Sequence, residues 1–189
     1  MATKTKRMNL RSVCGIAMLT ALYCVLSFFM KFILIGNIRI DLGYIALAAG
    51  CILYGPWGAF VGAVGCGFES MLLSAYGFSI SWFVGNLIIG LITGYVCKYL
   101  TKNLILRIIA AVLSVAVGIV LVKTLMECFL FSLPFEIKVI RNLVAFVADS
   151  LSMAVGMILT DRIRFIYDKK KTKNKNHCLT TPDKKNKII

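Results

Sequence analysis

The sequence predicts an all-α integral membrane protein, a bundle of six transmembrane helices with both termini in the cytoplasm. Its composition is the first reason, since 59% of the 189 residues are hydrophobic and only 16% are charged, whereas about a quarter are charged in soluble domains. Apolar residues also form long unbroken runs, which favour spanning helices over the alternating strands of a membrane barrel. Finally, most basic residues would lie on one side of the membrane if the chain crosses six times.

The first three predicted helices cover residues 12–35, 42–54 and 57–75. The first follows a basic cluster and ends at the turn-forming pair Gly36-Asn37. The second is short, and Gly55-Pro56 separates it from the third, which ends near Tyr76-Gly77. A cleavable signal peptide is the alternative for the first run. That run is longer than a typical signal peptide core, however, and no clean small-residue cleavage site follows it.

The last three predicted helices cover residues 80–100, 104–133 and 135–167. Lys102-Asn103 separates the fourth from the fifth, and a turn ending at Pro134 separates the fifth from the sixth. Because all connections are short, consecutive helices are expected to be antiparallel neighbours. The six helices form a predicted transmembrane domain, residues 12–167. A basic segment, 1–11, precedes it, and a basic tail that is predicted to be disordered, 168–189, follows it.

Basic residues predict the orientation of the bundle. Seventeen of the 22 Lys and Arg residues lie in segment 1–11, around the turn at Lys102-Asn103, or from Arg162 onward. Loops rich in Lys and Arg remain in the cytoplasm. We therefore expect a multi-pass protein of the cell membrane with both termini cytoplasmic. The Lys-rich tail is expected either to be attracted by anionic lipid or to act only as a topology signal.

Motifs for catalysis or metal binding are missing from the sequence. The seven cysteines form no CxxC pair and are best explained as small buried hydrophobic residues. The only histidine, His177, lies in the tail, and the chain contains no nucleotide phosphate loop, no HExxH and no GxSxG. We therefore expect no metal, no cofactor and no enzymatic activity.

Polar side chains inside the apolar runs predict a binding site. An ionisable side chain in a bilayer costs about 2.5 kcal/mol or more and usually holds or moves something polar. In helices three to six the polar residues recur at spacings of three and four, together with small residues, so they face protein rather than lipid. The candidate site residues are Arg39, Glu69, Trp82, Asn86, Lys123, Glu127, Arg141 and Asp149.

Several of these residues also have a purely structural explanation. Lys123 with Glu127, and Arg141 with Asp149, could form internal ion pairs that only hold the bundle together. Asn86 could provide hydrogen bonds between helices rather than contact a ligand. As a group, however, several charges that converge at the outer end of a small bundle favour a cup for a polar solute.

A stripe of small residues in the first helix includes Ala17 and Ala21, one turn apart. This spacing allows close contact with another helix. Inside the bundle the stripe would be ordinary packing. On the outer surface it would be a docking face for another membrane protein.

Three stretches are characteristic in combination: Ala17-Met-Leu-Thr-Ala21, GNIRIDLGYIALAAG over residues 36–50, and YGPWGAFVG over residues 54–62. Together with Gly90-Leu-Ile-Thr-Gly94 and Arg141-Asn142, they resemble the substrate-binding S component of energy-coupling factor (ECF) vitamin importers. The resemblance covers nearly all of the predicted membrane domain and is closest to the folate-type branch. Two places differ from that branch. Cys66 stands where an aspartate is usual, and Ile80-Ser-Trp-Phe83 replaces a turn similar to Pro-Gly-Phe-Thr.

The resemblance implies a substrate-capture subunit of an ABC importer. It implies a six-helix cup open to the outside, with the loops at 32–40, 75–81 and 132–138 around a folate-like vitamin or another small anionic solute. Ala17 and Ala21 would pack on a transmembrane coupling (T) component that is driven by two ATPase subunits. The expected partners are these subunits, the vitamin and the lipid bilayer, with no nucleic acid.

In such a cup, Arg39 and Arg141 would contact the anionic end of the ligand. A guanidinium group suits this role because it pairs with a carboxylate in a planar, two-pronged geometry. Lys123 would neutralise either the ligand or Glu127.

The other candidate residues are aromatic, neutral or acidic. Trp82 and Asn86 would contact a ring or an amide of the ligand. Glu69 and Asp149 would accept hydrogen bonds from the ligand or balance the arginines.

Two other functional classes remain compatible with the sequence. A stand-alone facilitator or channel would need polar residues that continue to the cytoplasmic end, where this chain has mostly glycine and alanine. A regulatory membrane partner without transport activity would not need the outer charges and would bind no small molecule.

Overall fold

The computed structural model describes residues 9–31, 41–73, 78–101, 103–131 and 135–180. Within these ranges the chain is helical and contains no β-strand, as the sequence predicts. A 3₁₀ turn, Gly55–Gly58, and two π-helical segments, Val96–Leu100 and Ala116–Lys123, join or extend the α-helices. The α-helices are Leu10–Lys31 (α1), Tyr44–Tyr54 (α2), Ala59–Leu73 (α3), Ile80–Tyr95 (α4), Leu104–Val115 (α5), Thr124–Phe131 (α6) and Phe135–Thr180 (α7).

Five helical stretches of the described chain are long and apolar enough to cross a membrane. They are Leu10–Phe29, Tyr44–Leu72, Ile80–Leu100, Leu104–Leu130 and Val139–Tyr167. The sequence predicts six spanning helices. The two numbers differ because Tyr44–Leu72, a single stretch by length and composition, contains both α2 and α3.

A sharp turn divides this stretch into a hairpin. At Gly55 the backbone adopts a φ of 65°, a left-handed conformation that glycine adopts readily, and α2 ends there. Beyond the turn, Gly58 lies against Gly50, and Gly62 lies against Leu47. Since these contacts proceed in opposite directions along the two helices, α2 and α3 are antiparallel.

The central helix of the bundle is α2. It contacts α1, α3, α4 and α7, and most of its residues are buried. The crossing with α7 is close, because a Cβ atom built on Gly156 would lie 2.7 Å from the Cα atom of Ile45. Small residues permit such backbone approach and provide packing energy in a membrane, where lipid tails are as apolar as the helices.

In contrast, α1 is peripheral. Tyr23 and Ser27 face the bundle and are buried, but only 11% of the residues in the apolar part of α1 are buried. Ala17 and Ala21 are both exposed. The small-residue stripe therefore lies on the outer surface of the described bundle rather than inside it.

The last helix is longer than the sequence pattern predicts. It continues to Thr180, whereas the pattern ends the helix at residue 167 and predicts a disordered tail from 168. Lysine has a good helix propensity, and extending an existing helix avoids the unfavourable nucleation step. An apolar pattern is therefore not required for residues 168–180 to be helical. Segments 1–8 and 181–189 of the predicted basic ends lie outside the described residues.

Candidate functional site

Several ionisable side chains are buried between the helices. Glu69, Lys123, Glu127 and Asp149 are each at most 4% exposed. A buried charge is costly unless other groups replace the lost hydration. The contacts of these residues therefore indicate what the bundle is built to hold.

A π-helical segment brings Lys123 to an aromatic ring. The segment Ala116–Lys123 ends at this residue, and a π turn contains one residue more than an α turn, which changes the face on which the following residues lie. The Nζ atom of Lys123 lies over the indole ring of Trp82 on α4. Their side chains are 1% and 9% exposed, so this cation–π contact is shielded from solvent. The contact places a cation and an aromatic surface side by side.

An ion pair joins α6 to α7. The Nη2 atom of Arg141 donates a hydrogen bond to Oε2 of Glu127 at 3.1 Å. The carboxylate side chain is 5% exposed and the arginine side chain 37%, so the guanidinium group lies nearer the surface. The sequence pattern allows Arg141 to pair with Asp149 on its own helix. The structure instead places it beside a carboxylate of the preceding helix, because the chain reverses direction between α6 and α7.

A second polar network surrounds Asp41, which is 1% exposed and was not among the predicted site residues. The hydroxyl groups of Tyr23 and Ser27 and the backbone N–H of Gly43 donate to its carboxylate. Its own N–H donates to Oδ1 of Asp149 at 3.0 Å. Asp41 thus joins α1, the start of α2 and α7. The sequence signal was present, since Asp41 is the only acidic residue in the stretch 36–50 that resembles S components.

Asn86 extends this network to α4. Its Nδ2 atom donates to the Tyr23 hydroxyl at 3.2 Å, and its Oδ1 atom accepts from the Tyr44 hydroxyl at 2.7 Å. With a rise of about 1.5 Å per residue, Asn86 lies ~9 Å along α4 from its first residue. These hydrogen bonds join different helices, and they hold Asn86 in the interior of the bundle, between the start of α4 and its middle.

Glu69 faces the interior from α3. It lies on the same helix face as Gly62 and Gly65, which contact Leu47 of α2 and Tyr23 of α1. Arg39, the remaining predicted site residue, lies outside the described residues.

Together these residues are called the buried cluster, and they provide three kinds of recognition group. Lys123 and Arg141 are cations, Glu69 and Asp149 are carboxylates, and Trp82 provides an aromatic face. This combination can bind a solute that has a ring, hydrogen-bond donors and an anionic group. Within the described residues, no three His, Cys, Asp or Glu side chains are arranged to hold a metal ion.

Comparisons with known proteins agree on the fold. The family model of the ECF-type riboflavin transporter S component matches residues 7–164. Among solved structures, the S component for biotin from an ECF-type ABC transporter is similar, with a TM-score of 0.59 and 18% sequence identity. The match covers 84% of this chain and 95% of that chain. No curated protein sequence matches the chain.

These matches confirm the resemblance to ECF S components, whereas the folate-type branch stays a prediction. The matching family model is named for riboflavin, and the similar structure is that of a biotin S component. S components are vitamin-binding transport subunits, not enzymes, and they work with a T component and ATPases of an ECF module. Since the family model covers most of its length, this multi-pass membrane protein belongs to the family of ECF-type riboflavin transporter S components.

Proposed function

We propose that this chain captures a folate-like vitamin outside the cell for ATP-driven import by a T component and two ATPase subunits. The observation behind this proposal is the buried contact between Lys123 and Trp82, one helical turn from the ion pair of Glu127 with Arg141. A cation, an aromatic face and a partly exposed guanidinium group therefore lie close to one another. Arg39, which the sequence places in the loop before α2, would add a second guanidinium group.

The chemistry of the cluster favours a ligand with two different ends. A pterin-like ring carries several N–H groups that can donate hydrogen bonds to Glu69 and Asp149, and its face can stack on Trp82. A carboxylate tail can pair with Arg141 or Lys123. Riboflavin is the second candidate, because the matching family model carries its name. Its flavin ring suits Trp82 equally well, but it has no carboxylate for the cations.

We also propose six crossings, with both termini in the cytoplasm. The antiparallel packing of α2 on α3 supports two separate crossings in the stretch Tyr44–Leu72. With 11 residues, α2 is only ~17 Å long, but a short helix is tolerated at membrane depth when protein surrounds it. The distribution of Lys and Arg supports the orientation.

The exposed stripe on α1 supports docking to the T component. Ala17 and Ala21 lie on the bundle surface, where another helix can approach closely. A partner that binds this stripe would leave the buried cluster free to hold its ligand.

Close packing at the opposite end of the bundle disfavours a channel. A Cβ atom on Gly58 would lie 2.3 Å from the backbone of Gly50, and one on Gly90 would lie 2.5 Å from the Cα atom of Ala59. These contacts pack the backbones of α2, α3 and α4 tightly against each other at that end. Such packing supports capture for a partner rather than free passage of a solute.

The test is thermal stability of the purified full chain with folate, riboflavin, biotin and pantothenate. A ligand at 100 times its Kd stabilises the folded state by about 2.7 kcal/mol, which raises the melting temperature. We expect folate to raise it, and Lys123→Met to abolish the rise. A rise with riboflavin alone would show that the ligand is riboflavin rather than folate, and the proposed capture function would stand. No rise with any of the four compounds, for protein shown to be folded, would contradict the proposal.

A further inference from the structure

A cavity of about 610 Å³ lies at the basic end of the bundle, away from the buried cluster. The end of α2, the π-helical segment after α4, the start of α5 and the later part of α7 form its walls. Its lining includes three cations, Lys98, Arg107 and Arg164, and one carboxylate, Asp161. Asp161 follows Asp149 by three helical turns, or ~18 Å. The cavity is thus separate from the proposed vitamin site.

One of the three cations is fixed in the wall of the cavity. Arg107 is 7% exposed, and its Nε atom donates to the backbone oxygen of Thr101 at 3.1 Å. Its Nη1 atom is 3.6 Å from Oδ1 of Asp161. Asp161 balances one positive charge, so the lining has an excess of two positive charges. Such a cavity attracts an anion.

Two apolar side chains of the lining are exposed. Leu53 and Phe165 are 54% and 65% exposed, and in a membrane such surfaces face lipid. Tyr95 and Tyr99, both exposed, lie on the neighbouring part of α4 and its π-helical extension. Tyrosine and cationic side chains at helix ends are typical of the membrane–water interface. The cavity therefore opens at the level of lipid headgroups.

We propose that this cavity binds the phosphodiester headgroup of an anionic phospholipid. The phosphate oxygens would lie between Lys98, Arg107 and Arg164, because charge-assisted hydrogen bonds from Lys and Arg are strong phosphate contacts. The acyl chains would lie along Leu53 and Phe165. Basic pockets between helices at a membrane surface recognise anionic headgroups in this way. Free phosphate would share the polar contacts but not the apolar ones.

The experiment measures lipid retention by native mass spectrometry. The full chain is purified in detergent, stripped of lipid and mixed with equal amounts of phosphatidylglycerol or phosphatidylcholine. The test variant is Lys98→Gln with Arg164→Gln, both exposed residues of the cavity. The matched control is Arg162→Gln with Lys169→Gln, which removes the same charge from exposed positions that do not line it.

We expect phosphatidylglycerol to be retained in preference to phosphatidylcholine. Each cation near the membrane surface contributes about 1 kcal/mol, so the test variant should bind phosphatidylglycerol roughly 30-fold more weakly, and the control should resemble the unmodified chain. Equal retention of both lipids, or equal losses in both variants, would overturn the proposal. Inorganic phosphate is tested separately by thermal stability. If phosphate alone stabilises the chain as much as phosphatidylglycerol does, the site is one for free phosphate, and the lipid assignment is wrong.

Discussion

At the scale of single residues, Asp41 connects several parts of the described chain. Two hydroxyl groups and one backbone N–H donate to its carboxylate. It is 1% exposed, so these donors replace water almost completely. Donors from α1 and from the turn before α2 thus meet at one carboxylate, which keeps the start of α2 next to α1.

Replacing Asp41 with asparagine should destabilise the protein, because the new amide group presents N–H donors to a site that already supplies donors. The expected loss is about 2 to 3 kcal/mol, since several buried donors lose their acceptor. Ser27→Ala, which removes a single donor, should cost about 1 kcal/mol. Thermal denaturation of the purified variants checks both values. Equal stability losses in the two variants would show that the carboxylate does not hold the network.

Variants of the ion pair between Glu127 and Arg141 can distinguish a role in protein stability from a role in ligand binding. Arg141→Gln should lower stability by about 1 to 3 kcal/mol, since it leaves a buried carboxylate without this cation, although partial exposure of the arginine reduces the effect. Adding Glu127→Gln should restore much of that stability. Ligand affinity should remain low in the double variant if Arg141 contacts the ligand. Recovery of both properties together would assign the pair a structural role only.

Trp82 offers a direct optical report on the site. The chain has two tryptophans, and Trp57 is 46% exposed, whereas Trp82 is buried under Lys123. In a Trp57→Phe variant, all indole emission comes from Trp82. We expect the bound vitamin to change this emission with the same midpoint as the thermal shift. A ligand that stabilises the variant but leaves its emission unchanged would bind away from Trp82.

At the scale of helices, the apolar runs predict the elements well, and packing determines the rest. The predicted helix 80–100 coincides with α4 and its π-helical extension. The single predicted helix 104–133 is instead divided by the segment Ala116–Lys123. Residue type and spacing show which residues are polar, but a π turn changes which face they lie on. The contact partner of Lys123 could therefore not be predicted from spacing, and that of Arg141 depends on how α6 packs against α7.

The hairpin of α2 and α3 depends on a contact that excludes side chains. In Gly58→Ala the new Cβ atom would lie 2.3 Å from the backbone of Gly50, which cannot move without opening the hairpin. We expect a loss of about 3 kcal/mol or more, as for severe overpacking. Gly67→Ala is the control, because its Cβ atom would approach only side-chain rings, those of Phe78 at 3.2 Å and Phe83 at 3.5 Å. Thermal melts that rank the two variants in the opposite order would refute this account of the hairpin.

At the scale of the whole molecule, the bundle has two chemically different ends. At one end, opposite charges are buried between α3, α4, α6 and α7. At the other end, Lys and Arg residues are in excess around a cavity. The sequence predicted this polarity from the distribution of basic residues. It could not predict the cavity, because Lys98, Arg107 and Arg164 come from three separate elements that only the folded chain brings together.

Coupling to the importer is expected to depend on the surface of α1. Ala17→Trp should abolish vitamin uptake in cells or vesicles that contain the T component and ATPases, because the bulky ring prevents close helix approach. Vitamin binding should be retained, since Ala17 is exposed. Leu151→Trp, at an exposed position of α7, is the control for a bulky group facing lipid. If the Ala17 variant loses binding as well, the stripe belongs to the packing of the subunit.

Because Ala116–Lys123 is π-helical, a length difference of one residue in this segment has a predictable effect in related proteins. A deletion of one residue usually damages a transmembrane helix, but here it would let the segment return to ordinary α geometry. Both sides of the break would keep their faces, whereas the same deletion in a plain α-helix would turn one side by about 100° relative to the other. Lys123 would then stay over Trp82. We expect relatives that are one residue shorter at this point to keep the fold, this contact and the vitamin.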